Sequence, residues 1–203
     1  MDSRSSTLFL TAFLVLLTGL SDSVLASRTI IYRDDFNLSI PADKSKSKGQ
    51  MKDATIEIID HYIIYNLDIT IDITHTSVFD LQIRLLSPNG TKIFLNKYNY
   101  ETDFFEGGDY IQTIFDDDSQ IPIELGSPPF TGRFKPKNGN SLRAFDGEDI
   151  YGTWRLQIND QFYYDTGTLN SFGLAVTVPE PVTITFLTLG MIYLRRRMKP
   201  RRR

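Results

Sequence analysis

The 203-residue chain has no cysteine, only two histidines and a single tryptophan. Without cysteine there are no disulfides and no thiolates for zinc or catalysis, so stability has to come from a sizeable core or from another metal. The two histidines leave little room for acid–base chemistry. His61, after Ile58-Ile59-Asp60, reads as the start of a strand with no nearby serine on a supporting loop. His75 falls at a strand end, where a hydrogen-bonded structural role is expected. A serine-hydrolase site needs three converged groups and an oxyanion hole. None is legible, so the chain is expected not to be an enzyme.

Long hydrophobic runs are also lacking. Residues 8–20 and 182–194 are apolar stretches of 13 residues each, whereas a bilayer-spanning helix takes about 20. The first follows Arg4 and leads through Ser21-Asp22-Ser23 to Val24-Leu25-Ala26. That is the pattern of a secretory signal peptide with cleavage after Ala26. Removing residues 1–26 and 178–203 takes eight of the 22 basic residues and three of the 25 acidic ones. The remaining body therefore carries 14 basic against 22 acidic groups, a net charge of −8. Such a balance disfavours nucleic acid and anionic membranes as partners and favours cations.

What is present is β-type patterning. Leu67, Ile69, Ile71 and Ile73 alternate with Asp68, Thr70, Asp72 and Thr74, which places four apolar side chains on one face of a strand. Leu81, Ile83 and Leu85 repeat the pattern, and Pro88-Asn89-Gly90 supplies a tight turn into a returning strand over 91–95. Further strands are expected over 110–115, 154–158 and 169–178, with Phe172, Leu174 and Val176 on one face. Helical periodicity is absent. The expected fold is an all-β antiparallel sandwich or jelly roll over 55–177, preceded by a strand-and-loop segment over 27–54. The loop is lysine-rich and solvated.

Two constellations stand out as chemistry. Asp80, Asp116, Asp117, Asp160 and Asp165 lie at strand ends, where loop carboxylates and carbonyls commonly supply the six to eight oxygens of a calcium site. Tyr163 and Tyr164, between Asp160 and Asp165, form a candidate ligand surface for sugar rings or a partner protein. Trp154 is expected to anchor the core, and Asp165-Thr166-Gly167 to form a turn capped by the aspartate side chain.

The tail reads Pro179-Glu180-Pro181, the short apolar run, then Arg195-Arg196-Arg197 and four more cations within the last nine residues. It resembles a PEP-CTERM sorting signal. That resemblance implies a bacterial surface protein, inserted transiently in the inner membrane of a Gram-negative-type cell and cut near Pro-Glu-Pro by an exosortase. The body has a resemblance of its own. Ile71-Asp72-Ile73-Thr74-His75-Thr76, Asp80-Leu81 and Leu85-Leu86-Ser87-Pro88-Asn89-Gly90-Thr91 come first. Thr113-Ile114-Phe115-Asp116-Asp117, Pro129-Phe130-Thr131-Gly132-Arg133-Phe134, Gly152-Thr153-Trp154-Arg155-Leu156 and Asp165-Thr166-Gly167-Thr168-Leu169-Asn170-Ser171-Phe172 follow. In that order they resemble the P domain (homo B domain) of subtilisin-like proprotein convertases, with Phe172 where the family usually has tryptophan. The resemblance implies a jelly roll, a non-catalytic role, calcium in some bacterial members, and a separately encoded subtilisin-like protease as one possible partner. Extracellular polysaccharide is the other partner expected, from the sorting signal and the aromatic loop.

Overall fold

In the computed structural model the described residues are 27–41, 48–97 and 107–179. The signal-peptide segment, the calls on Glu180, Pro181, Arg195, Arg196 and Arg197, and most of the lysine-rich loop lie outside them. Arg28–Val178 forms one compact unit, so the first strand belongs to the folded body and is not a separate leader to it.

Among the described residues ten strands make two sheets: β1 (Ser27–Ile40), β2 (Gly49–Gln50), β3 (Ala54–Ile58), β4 (Asn66–His75), β5 (Leu81–Leu86), β6 (Lys92–Asn96), β7 (Tyr110–Phe115), β8 (Phe130–Phe134), β9 (Gly152–Asp160) and β10 (Gly167–Pro179). One sheet has the order β1-β10-β4-β7-β8, and the other the order β2-β9-β5-β6 with β3 also on β9. Among the described residues there is no α-helix, only short 3-10 turns. The alternation in β4 buries Leu67, Ile69, Ile71 and Ile73 against Leu81, Ile83 and Leu85 of β5 and Leu156 and Ile158 of β9. Each of these side chains contributes about 1.5–3 kcal/mol of burial.

Trp154 is fully buried, donates from Nε1 to the Ile150 carbonyl at 2.9 Å, and meets Phe145 edge-on at 5.2 Å. Gly152 has φ +115, and a Cβ there would press on Pro88. Phe172 is fully buried and stacks on Phe36 of β1 at 6.0 Å. The Pro88-Asn89-Gly90 turn closes with Gly90 N–H donating to Ser87 O at 3.1 Å.

Among the described residues β7 and β8 run parallel, as do the isolated bridges Ser77–Gly107 and Pro122–Lys135. The 14 residues between Phe115 and Phe130 are long enough for that crossover. His61 does not begin a strand. It lies in the connection from β3 to β4, joined to the rest of the fold by the Ile63–Asp149 bridge.

Candidate functional site

Strand direction divides the aspartates expected to share calcium. β4 ends at His75, opposite Gly167 of β10, and β5 begins at Leu81, opposite Asp160 of β9. Asp80, Asp160 and Asp165 therefore collect at one end of the sandwich. Phe115 lies opposite Ile69, back towards the other end, and Asp116 and Asp117 follow it.

Each carboxylate already has donors. Asp116 accepts from Arg133 at 2.8 Å and from the Asp118 amide at 2.7 Å. Asp117 accepts from the Ser141 hydroxyl at 2.6 Å and the Arg143 amide at 2.9 Å. The bonds to Asp68 and Asp116 strengthen the hold of Arg133 on its proton. Asp165 accepts from the Thr76 hydroxyl at 2.6 Å, so it ties two loops together, a role different from the local turn cap read from sequence. Asp160 Oδ1 accepts from the Phe162 amide at 3.0 Å.

The other oxygen, Asp160 Oδ2, is buried without a hydrogen bond and lies 3.4 Å from His75 Nε2, both side chains being wholly inaccessible. His75 Nδ1 accepts the Ser77 amide at 3.1 Å. In the neutral ring the proton must then sit on Nε2, aimed at Asp160. An N–H facing that oxygen repels a cation placed between them. Burial, chiefly, raises the Asp80 carboxyl above its usual range, with the charges of Asp165 and Asp160 adding to it. Among the described residues no group of three or more His, Cys, Asp or Glu side chains is arranged to hold a metal. The five aspartates are therefore divided between two ends of the sandwich and do not share one site. Asp116, Asp117 and Asp165 act as acceptors that pin loops, and Asp160 does so through Oδ1 alone.

The same end presents the aromatic loop. Gly49 pairs with Asp160 and Gln50 with Asn159, which brings Lys48 beside the β9–β10 connection. Lys48 Nζ lies 4.3 Å from the centre of the Tyr163 ring. Tyr164, 6.2 Å from Tyr163 between ring centres, is 92% exposed and holds φ +82. The loop beneath is tied down: Gln161 N–H donates to Asp80 O at 3.0 Å, Thr166 N–H to Thr76 Oγ1 at 3.4 Å, and Thr76 N–H to Thr166 O at 3.4 Å. Beside it is a cavity of about 550 Å³ bordered by Pro41, Thr74, His75, Asp109, Thr166 and Thr168. Gly108 packs so closely on the His75 carbonyl, and Gly167 on the Thr74 carbonyl and the His75 ring, that any side chain there would overlap them. Tyr163 and Tyr164 were legible in the sequence. Lys48 was not, because its place depends on pairing between residues more than 100 positions apart.

Neither histidine has catalytic company among its described contacts. His75 meets the Ser77 amide and Asp160. His61 Nδ1 lies 2.8 Å from Asp149 Oδ2, and its ring stacks on Tyr151 at 4.3 Å. The hydrogen bond from His61, with the Tyr151 amide second, pulls the Asp149 carboxyl below its usual range.

Two crystal structures of a serine protease from Aeromonas sobria, one in complex with its chaperone, align with 18% identity and TM-scores of 0.47. The alignments cover 82% and 81% of this chain but only 29% of each protease chain. A structure of the infectious bursal disease virus Gx strain aligns at 14% identity and TM-score 0.33, over 74% of this chain and 32% of that one. No curated protein matches the sequence. The proprotein convertase P-domain matches residues 64–176, a span holding β4 to β9 and most of β10. The chain belongs to the proprotein convertase P-domain family, whose domain is a non-catalytic companion of subtilisin-like proteases.

Proposed function

We propose that this P domain is a secreted binding module of a bacterial surface or exopolysaccharide matrix, whose ligand face is the loop carrying Tyr163 and Tyr164. The observation that carries the reading is Tyr164. A bulky residue at φ +82 costs about 1–2 kcal/mol relative to ordinary backbone, and here that conformation holds an aromatic ring almost wholly in solvent. Strain kept on a loop this well anchored is typical of functional positions. A tyrosine ring offers a flat face to a sugar. Lys48, held over Tyr163, adds a cation for a carboxylate on it. The favoured ligand is therefore an acidic extracellular polysaccharide.

Export by residues 1–26, membrane insertion of 182–194 and exosortase cleavage near Pro179, Glu180 and Pro181 complete the proposal. Intact mass of the secreted protein tests this part. A mature chain that retains Arg201, Arg202 and Arg203 removes the sorting step.

Affinity electrophoresis tests the ligand. The protein is expected to be retarded in gels containing alginate or polygalacturonate, and not in gels containing dextran. Tyr164→Ala and Lys48→Glu should each abolish the retardation without lowering the melting temperature. Unchanged mobility in every gel would remove the polysaccharide. Family membership favours a second reading, a free-standing P domain that stabilises a separately encoded subtilisin-like protease. Recovery of such a protease as the main partner from the host's secreted fraction would select it.

A further inference from the structure

The opposite end of the sandwich carries a second exposed surface that the ligand loop does not use. The connection from β3 to β4 runs antiparallel to the segment before β9. Ile150 N–H donates to Tyr62 O, Ile64 N–H to Glu148 O and Gly147 N–H to Ile64 O, each at 2.9 Å. Alternation along this ribbon turns Ile64 and Ile150 into the core. It turns His61, Ile63, Tyr65 and Tyr151 outward. Ile63 is 56% exposed, Tyr65 67% and Tyr151 50%, and Tyr151 stacks with His61.

Both chain exits lie beside this ribbon. Tyr65 N–H donates to Thr177 O at 3.0 Å, and the Thr177 hydroxyl is 3.3 Å from that of Thr29. Strand β10 ends at Pro179. Only Glu180 and Pro181 then precede the apolar run 182–194. Three residue steps from Pro179 to Val182 span at most about 10 Å.

We propose that the face formed by Ile63, Tyr65 and Tyr151 is a membrane-contact surface that rests on the lipid headgroup region while residues 182–194 are inserted. The inference rests on the proposed membrane insertion of that segment, not on the polysaccharide reading. A tether this short holds the end of β10, and the ribbon hydrogen-bonded to it, close to whatever the apolar run enters. Tyrosine suits that boundary because its ring is apolar and its hydroxyl stays wet. The charges at the rim select the lipid. Asp60 and Asp149 flank the face and outnumber Arg28, which lies 5.0 Å from the Tyr62 ring, so zwitterionic headgroups should be favoured over anionic ones.

The test uses the full chain in phosphatidylcholine vesicles carrying a doxyl-labelled phosphatidylcholine as quencher. Tyr65→Trp reports from the ribbon and Tyr164→Trp from the ligand loop, over the constant background of buried Trp154. Flotation of the chain with the vesicles reports insertion separately. In floating protein the tryptophan at 65 should lose much of its emission and that at 164 almost none. Adding Ile63→Asp to Tyr65→Trp should return the emission at 65 to the level seen at 164 while the chain still floats. Replacing part of the lipid with phosphatidylglycerol should weaken the quenching at 65. Equal quenching at both positions in a floating chain would overturn the contact surface and leave insertion standing. A chain that does not float would overturn both. A dimer in sedimentation that Ile63→Asp dissociates, without preferential quenching at 65, would assign the face to a second copy and also overturn the proposal.

Discussion

Both ends of the sandwich expose tyrosines, yet they hold them in different ways. At the Tyr163 end the rings ride on a loop pinned to Asp80, Asp160 and Thr76, one of them at positive φ, with Lys48 over its neighbour. At the Tyr65 end the rings lie along a hydrogen-bonded ribbon with neither tyrosine at positive φ, bordered by Asp60 and Asp149. Lys48 thus stands over Tyr163 at one end, while at the other Asp60 and Asp149 border the outward rings and Arg28 lies over the inward-turned Tyr62. Aromatic composition alone would make the two ends equivalent. Local charge and backbone geometry separate them, and they separate the chemistry each can meet: an acidic sugar at one end, an uncharged lipid boundary at the other.

The comparison holds only if the two ends share one core, and the largest expected effect tests that. Trp154→Ala removes the biggest buried side chain and should cost about 3–5 kcal/mol. The melting temperature should fall by roughly 10 °C or more, and polysaccharide retardation and vesicle contact should be lost together on warming. Loss of one with the other retained would mean that the ends unfold independently.

A change confined to the ligand end comes next. Asp160→Ala leaves the Phe162 amide without its acceptor and the inward-facing His75 N–H without its neighbour. Leaving a buried donor without its acceptor costs about 1–3 kcal/mol. Thermal denaturation should show that loss, and polysaccharide retardation should weaken even well below the melting temperature, because Phe162 leads directly into Tyr163 and Tyr164. Quenching at position 65 should not change. A drop at both ends would show that the loops are not separately anchored.

Smaller still is the effect of Asp80. Burial raises its carboxyl in the folded state, so the folded protein binds this proton more tightly than the unfolded chain does. The sign follows: stability from this group is fully present below the unfolded carboxylate range and is lost as pH rises through the raised folded value. Asp80→Asn should therefore flatten that part of the pH–stability curve and leave the variant relatively more stable at neutral pH than in acid. Urea denaturation at several pH values checks it. An unchanged slope would mean that Asp80 reaches solvent charged at no cost.

Much of this fold was legible from alternation alone. β4, β5, β9 and β10 follow from period-two patterns because each has one face on the core, and β6 follows from the turn before it, whereas β7 breaks its alternation at Gln112. β1 was harder to place. Ile30, Tyr32, Phe36, Leu38 and Ile40 do alternate inward, but Asp34 interrupts the series and Ile31 adds an apolar residue on the exposed side. An edge strand with only one neighbouring strand tolerates both. The parallel pairing of β8 on β7 left no mark in sequence, since register and direction depend on the path of the crossover. At the sites, residue types were visible and partners were not. The aspartates suggested a cation site because nothing in the sequence shows that Arg133, Ser141, Arg143, Thr76 and several backbone amides reach them first. The ribbon of Ile63, Tyr65 and Tyr151 was invisible for the same reason, being assembled from segments more than 80 residues apart.

The smallest expected effect bears most directly on why the two ends differ. Tyr164→Gly removes a side chain from a left-handed position, which should recover about 1–2 kcal/mol of backbone strain. Glycine gives back about 0.5–1 kcal/mol through the greater freedom of the unfolded chain. The net stabilisation should be at most about 1.5 kcal/mol, measurable in denaturant and opposite in sign to the loss of polysaccharide binding. The equivalent change on the ribbon, Tyr65→Gly, relieves no strain and should only destabilise. Opposite signs at the two positions would show that strain is maintained at the ligand end alone, where presenting the ring in solvent has a use. If Tyr164→Gly destabilises as well, the ring is packed on its own loop in solution, and the case for Tyr164 as a ligand-stacking face falls with it.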